Sequence, residues 1–484
     1  MTRPSRLGLA LLATTLATVL GAPAMSNVAG AQTPTQQPTY VDTYPTAPVS
    51  VTWLPSFQSP GTPADLNKVG IIKIGNPAAK NVLVLEPGTQ AGGAYFVPFG
   101  KWVAATLPNW QVWAVVRRES LLEDQSEIDL AKQGKATAQQ VFDYYLGWLT
   151  NPSDTHHIPL IPDSQVGYAR QWGLNVAVQD LHTVIGAAEQ LGGRVVLGGH
   201  SLGGAVVTAY ATWDFNGTPG ADGLSGLVYD DGGSPPTPTP TAQQGLEGLL
   251  LSAISSPWLA LGVPAPFLGL LGQTGALATL LDPNGPSVGQ SFPFLPSVLD
   301  PPFQVTNEAL FGYGVDPTTS PSALAFAQAH VGQLDSPSSG TPVGWDGTGA
   351  LTPITRFAEM FSGWGLQGLD GLEWYFPERL AIDTLAIADG NPNTAQPLLN
   401  VQSTLGDELP HSLRIFALGA WGGQSVLDDA TDLANQSHIP SSHLTLINEG
   451  GVYAHNDPAG AYPTNAFFSG LVTFLRHLPR APGQ

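Results

Sequence analysis

One serine stands where its surroundings could make it a nucleophile. Ser201 sits in Gly199-His200-Ser201-Leu202-Gly203-Gly204. The run before it, Arg194-Val195-Val196-Leu197-Gly198, has the composition of a strand, and Ala205 to Trp213 reads as a helix. A G-x-S-x-G turn between a strand and a helix is the context that lifts a serine hydroxyl clear of the backbone for acyl chemistry. The glycines have a steric role, since any side chain at Gly199 or Gly203 would crowd the neighbouring strand or helix. The turn also sets the hydroxyl near the positive end of the following helix, where developing negative charge is favoured.

A serine hydroxyl is hardly ionised at neutral pH and needs a base. His455 is the histidine of the loop Gly450-Gly451-Val452-Tyr453-Ala454-His455-Asn456-Asp457-Pro458, which follows a strand candidate and precedes a closing helix. His200 adjoins the serine but fills a position open to any bulky residue, so it is read as structural. His156 and His157 lie in a polar, Pro-flanked loop and are read as solvated. No His/Asp/Glu spacing resembles a metal site. The chain has no cysteine, which removes disulfides, thiol catalysis and cysteine-based metal sites. Neither a metal nor a cofactor is expected.

These residues must be held by a larger frame. Strand candidates are Val49–Trp53, Val69–Ile74, Val82–Glu86, Gln111–Val116, Val195–Leu197, Leu227–Asp230, Leu413–Leu418 and Leu444–Ile447. Helical stretches between them include Leu174–Leu191, Leu202–Trp213 and Phe467–Leu478. Such alternation predicts a mostly parallel sheet with helices on both faces and a site at the carboxyl ends of the strands. The spacing breaks once, between the sixth and seventh strands, where residues 232–411 exceed any ordinary connection. That insertion opens with the low-complexity run Ser234–Thr241 and continues with the apolar stretch Leu246–Leu281. A large, mainly helical cap is predicted there. The expected organisation is a signal peptide at 1–31, a flexible lead-in at 32–46, a core at 47–231 and 412–484, and a cap or lid at 232–411.

With the elbow in place after the fifth strand, the chain resembles the α/β-hydrolase superfamily, in particular its exported bacterial members. The resemblance covers most of the mature chain outside the cap. It implies the α/β-hydrolase fold, the order serine, acid, histidine, and an oxyanion hole. One amide of that hole is implied at Leu202, directly after the nucleophile. The second belongs to the loop after the third strand, Glu86-Pro87-Gly88-Thr89-Gln90-Ala91-Gly92-Gly93, with Thr89 as first choice and Gln90 next. The family often has His-Gly where this loop has Pro87-Gly88, so only the glycine is kept.

The acid departs from the usual pattern. The loop after the seventh strand, Gly419-Ala420-Trp421-Gly422-Gly423-Gln424, has no carboxylate, and the next acids are Asp428 and Asp429. Some family members carry the acid after the sixth strand, where this chain has Tyr229-Asp230-Asp231-Gly232-Gly233. The pair Asp230/Asp231 is favoured over Asp428/Asp429, and within the pair Asp231 aligns better with the strand-end position.

Composition narrows the function. Lys and Arg number 17 against 37 Asp and Glu, for a formal net charge of −20. So acidic a chain, without a basic cluster, repels phosphate backbones, and nucleic acid is excluded as a partner. Arg3 and Arg6 precede an apolar run from Leu7 to about Leu20, followed by Ala29-Gly30-Ala31 before Gln32. This reads as a cleaved export signal, with Ala22-Pro23-Ala24 a second cleavage candidate, and predicts a secreted protein. The expected substrate is a small-molecule or lipid-like ester, with transient lipid-interface contact through the apolar cap. Acyl transfer, amide hydrolysis, or a non-catalytic binding role on the same fold stay open, because fold and triad do not separate them. Trp345, Trp364 and Trp374 are candidates for the pocket or for cap packing. Arg117-Arg118-Glu119, after the fourth strand, are candidates for substrate contact or surface ion pairs.

Overall fold

The computed structural model describes residues 40–151, 153–237, 256–290, 292–337 and 341–479. The export signal and part of the apolar stretch Leu246–Leu281 lie outside these residues. Among the described residues no helix is long and apolar enough to cross a membrane.

Eight strands form one sheet: β1 (Val49–Pro55), β2 (Lys68–Gly75), β3 (Asn81–Glu86), β4 (Trp110–Val116), β5 (Val195–His200), β6 (Gly226–Asp230), β9 (Arg414–Gly419) and β10 (Leu444–Asn448). A separate two-stranded ribbon pairs β7 (Gln333–Leu334) with β8 (Trp345–Asp346). The order across the large sheet is β1-β2-β4-β3-β5-β6-β9-β10. Strand β2 runs antiparallel to β1 and β4, and every other pairing is parallel. All eight strands fall where apolar runs predict them. The largest boundary difference is at β5, which runs on through Gly198, Gly199 and His200 in pairing with β6. Ladder bonds thus reach the residue next to Ser201, and Gly199 and His200, assigned to the turn, belong to the strand, while Gly203 and Gly204 belong to the helix.

Central strands are apolar at nearly every position because both faces of the sheet are covered. Val82 and Val84 of β3 belong to the apolar layer that includes the helices Leu174–Glu189, Leu202–Ala211 and Gln424–Gln436. Leu83 and Leu85 belong to the opposite layer with the helices Val97–Thr106 and Ala466–His477. Successive side chains on a strand point to opposite faces, so an unbroken apolar run feeds two cores. Truncating one of these side chains, such as Leu83→Ala, removes roughly 2–5 kcal/mol. The edge strands β1 and β10 are largely half-buried or exposed, as edges facing water are.

Between β6 and β9 lie the helices Phe267–Leu281, Asn307–Val315, Ile354–Ser362 and Glu378–Thr384, together with the β7–β8 ribbon. The first packs against the second and third. This segment is not one detached lid. Phe376, Leu380, Ile387 and Leu399 join the apolar layer beneath the sheet, and Asp383 accepts a hydrogen bond from the amide of Leu174 at 3.0 Å. Residues 40–46 of the expected lead-in are likewise tied down. Lys101 pairs with Asp42 at 2.7 Å, and the Tyr44 hydroxyl meets Thr355 Oγ1 at 3.3 Å.

Candidate functional site

Strand β5 ends at His200 and the helix Leu202–Ala211 begins at Leu202, so the whole reversal falls on one residue. Ser201 has φ 57° and ψ −126°. A side chain in such backbone stores strain of order 1–3 kcal/mol. The glycines make the turn possible. A Cβ at Gly199 would lie 2.3 Å from the Gly203 carbonyl, and one at Gly203 would lie 2.2 Å from the Glu86 oxygen. The sequence-based steric argument holds at both positions, and Gly203 has a further role in admitting the end of β3.

His455 and Asp231 meet. His455 Nδ1 lies 2.5 Å from Asp231 Oδ2, and both side chains are buried. The other carboxylate oxygen, Asp231 Oδ1, accepts the amides of Ala420 at 2.7 Å and Gly422 at 2.9 Å. Burial alone would raise this carboxyl. The His455 contact and the two amides outweigh it, and the group stays below its ordinary value. Asp231 is therefore an anion, and its φ of 47° turns it out of line with β6.

Asp230, favoured together with Asp231 by the sequence, does not join. It is the last residue of β6, and neither of its carboxylate oxygens has a hydrogen-bond partner. Burial first, and then the charge of Asp231, push its carboxyl well above the usual range. Asp230 keeps the extended backbone of β6, whereas the turned backbone at Asp231 brings its carboxylate to His455. Asp428 and Asp429 lie in the helix Gln424–Gln436, where Asp428 is exposed and accepts from Gln424 of its own helix.

Ser201, His200, His455, Thr89 and Gln90 line one cavity of ≈ 220 Å³. The loop after β3 presses on the elbow: a Cβ at Gly88 would lie 2.8 Å from Ser201 Cβ. Thr89 follows directly. Gln90, at φ 54°, gives its carbonyl to the amide of Glu373 at 2.9 Å. The Leu202 amide is the first of its helix and has no acceptor within that helix. Leu202 and Thr89 thus stand on the two backbone segments that meet at the serine.

Three buried side chains have parts that sequence reasoning did not give them. Arg117 does not line the cavity that holds Ser201. Its guanidinium bonds Glu86 at 2.8 Å, Glu373 at 2.9 Å and the carbonyls of Pro87 and Gly88, so it holds the loop that carries Thr89. Arg118 pairs with Asp180 at 2.6 Å, and it too is buried. Their place directly after an apolar strand was the available signal, but their partners lie far off in sequence. His200 Nε2 lies 3.0 Å from the His455 carbonyl. Burial, then the neighbouring His455, lowers its ring to about 3, so it is neutral and donates from Nε2. The elbow is thereby tied to the loop that carries His455. Trp345, Trp364 and Trp374 are packing residues. The indole N–H groups of Trp345 and Trp374 bond Val331 O and Gln273, and Trp364 meets Tyr40 edge-on.

Strand order, the antiparallel second strand and the strained turn after β5 define the class: this is the α/β-hydrolase fold. No protein-family model matches the chain, and no curated protein matches it. Among solved structures it is similar to a putative lipase from Sulfolobus solfataricus, at 14% identity and TM-score 0.41, over 90% of this chain and 96% of that one. It is also similar to epoxide hydrolase A from Mycobacterium thermoresistibile, at 13% identity and TM-score 0.40, over 90% of this chain and 100% of the other. A thioesterase domain from the curacin biosynthetic pathway aligns at 11% identity and TM-score 0.39, over 89% and 99%. At these scores the likenesses add nothing to what the strand order itself says.

Proposed function

We propose that this protein is an exported serine hydrolase that cleaves carboxylic esters through an acyl-enzyme on Ser201. The observation that carries the reading is the buried 2.5 Å contact of Asp231 with His455, residues 224 apart in sequence, His455 lining the same cavity as Ser201. Asp231 holds the proton of His455 on Nδ1, which leaves Nε2 as the basic nitrogen for the serine. Ser201 Oγ attacks the ester carbonyl carbon while its proton passes to His455 Nε2. The tetrahedral oxyanion is met by the amides of Leu202 and Thr89. His455 then returns the proton to the leaving alcohol, and water repeats the sequence to release the acid. Asp231 stays ionised throughout, in keeping with its lowered carboxyl.

The same reading includes brief contact with a lipid surface. Phe294 and Val298 are exposed, while Leu295, Pro296 and Leu299 between and beside them line the cavity. An apolar strap with one side to the cavity and one to solvent suits substrate drawn from an interface.

The test is Ser201→Ala assayed on p-nitrophenyl butyrate. Turnover falls by on the order of 10⁶ with an unchanged circular dichroism spectrum, and His455→Ala is about as damaging. Near wild-type turnover in the folded serine variant would overturn the mechanism.

A further inference from the structure

Most helix glycines of the cap are accounted for by close packing. A Cβ at Gly269 would lie 2.8 Å from Trp374 Cδ1, one at Gly272 2.7 Å from Leu372 Cδ1, and one at Gly312 2.5 Å from Trp345. Gly275 and Gly314 are different. A Cβ at Gly275 would meet only Phe311 Cδ2, at an ordinary 3.6 Å, and one at Gly314 would meet nothing within 4 Å. Neither has a positive φ that would call for glycine. Both lie inside helices, Phe267–Leu281 and Asn307–Val315, where glycine weakens the helix relative to alanine. What they share is the cavity: both line it, from two helices that pack against each other.

The cavity's chemistry says what that space would hold. Among the described residues, no Asp, Glu, Lys or Arg lines it. Polar groups on the cap side are few and bonded within the cap: Thr274 Oγ1 bonds Leu270 O at 2.7 Å, the Asn307 side chain bonds Asp282 O and the amide of Val288, and Ser287 Oγ accepts the amide of Gly289 at 3.3 Å. At the other end the wall carries Ser201 and His455. A neutral aliphatic chain can fill the cap side without stranding a bonded polar group, whereas a charged group finds no counter-charge among the described residues there.

We propose that Gly275 and Gly314 are the specificity-determining residues of this site, keeping the cavity open for the long, uncharged aliphatic acyl chain of an ester. The proposal rests on Ser201 as nucleophile for its catalytic readout, and on the cavity alone for its binding readout.

The experiment compares wild type, Gly275→Val, Gly314→Leu and Gly186→Ala. Gly186 is another helix glycine with nothing within 4 Å, but it does not line the cavity. Catalytic efficiency is measured on p-nitrophenyl acetate and p-nitrophenyl decanoate, and 1-decanol binding by titration calorimetry, with circular dichroism to confirm folding. Wild type prefers the decanoate. Gly275→Val and Gly314→Leu each lower the decanoate-to-acetate ratio by about tenfold or more and weaken decanol binding similarly, while Gly186→Ala leaves the ratio unchanged. Hydrolysis of acetate in preference to decanoate by wild type, or an unchanged ratio in both folded cavity variants, would overturn the proposal and leave the serine mechanism standing. Loss of all hydrolysis with intact decanol binding that the two cavity variants weaken would overturn the serine mechanism and leave the cavity assignment standing.

Discussion

Two turns of this molecule share nearly one backbone and do different work. After β5, Ser201 has φ 57° and ψ −126°; after β9, Gly423 has φ 53° and ψ −130°. Each leads straight into a helix, and each is packed so that a glycine is required at or next to the end of its strand. A Cβ at Gly199 would strike the Gly203 carbonyl at 2.3 Å, and one at Gly419 would strike the Gly423 carbonyl at 2.0 Å. Glycine takes this conformation at little cost, and a serine does not. Strain is thus kept only where a side chain has to be presented. The turn after β9 presents backbone instead: the amides of Ala420 and Gly422 grip Asp231, which comes from β6. The carboxylate absent from the usual loop has moved over by one strand, and the vacated loop has become its cradle.

The largest effect expected from this comparison is at the strained turn. Ser201→Gly abolishes turnover, by on the order of 10⁶, and raises stability by about 1 kcal/mol as the strain is released. A variant that is inactive but less stable in a urea titration would mean the turn after β5 is not strained. Next comes the acid. Asp231→Asn lowers turnover by on the order of 10³–10⁴ with little change in fold, because the wrong histidine tautomer is then favoured. A loss of less than about tenfold would place the acid elsewhere.

Gly423→Ala sharpens the comparison from the other side. It imposes on the second turn the strain that the first one bears, and destabilises the protein by roughly 1–2 kcal/mol. Turnover drops by no more than about tenfold, since Asp231 keeps its contact with His455. Unchanged stability by denaturant titration would remove the parallel between the two turns.

The smallest effect on activity, and the clearest pH signature, belongs to the neighbour of the acid. Asp230 and Asp231 are adjacent and shifted in opposite directions. Asp231, lowered on folding, contributes stability above its unfolded value of about 3.9, and that contribution is lost as pH falls through the folded value. Asp230, raised on folding, contributes stability below about 3.9, and that contribution is lost as pH rises toward the folded value. Asp230→Asn therefore leaves turnover within about tenfold and makes the protein more stable than wild type at pH 7. The difference in melting temperature shrinks as pH approaches 4. A gap that stayed constant from pH 4 to 8 would show that Asp230 does not titrate in this way.

Much of this was legible in the residues. The sheet was, because strands covered on both faces appear as unbroken apolar runs, Val82–Glu86 and Gln111–Val116 among them. The elbow was, because Gly199 and Gly203 are tied to Ser201 by short-range sterics. Choosing between Asp230 and Asp231 was only half legible. Both are strand-end carboxylates, and the difference is made by the backbone at Asp231 and by amides nearly two hundred positions away. Arg117 was misplaced for the same reason: its partners Glu86 and Glu373 are brought to it by the sheet and by the cap. The cap residues gave least of all, since Gly275 and Gly314 look like any helix glycine until the cavity beside them is seen.

The central claim is that Ser201 is an activated nucleophile whose partner is the His455–Asp231 pair. A fluorophosphonate reacts only with such a serine, and mass spectrometry of a chymotryptic digest locates the adduct. The account predicts stoichiometric labelling on the peptide that contains Ser201 in the full-length protein. It predicts labelling slowed by on the order of 10³ in Asp231→Asn and no labelling in Ser201→Ala. An unlabelled Ser201 in folded wild type, or an adduct on another serine at the same rate, would contradict it.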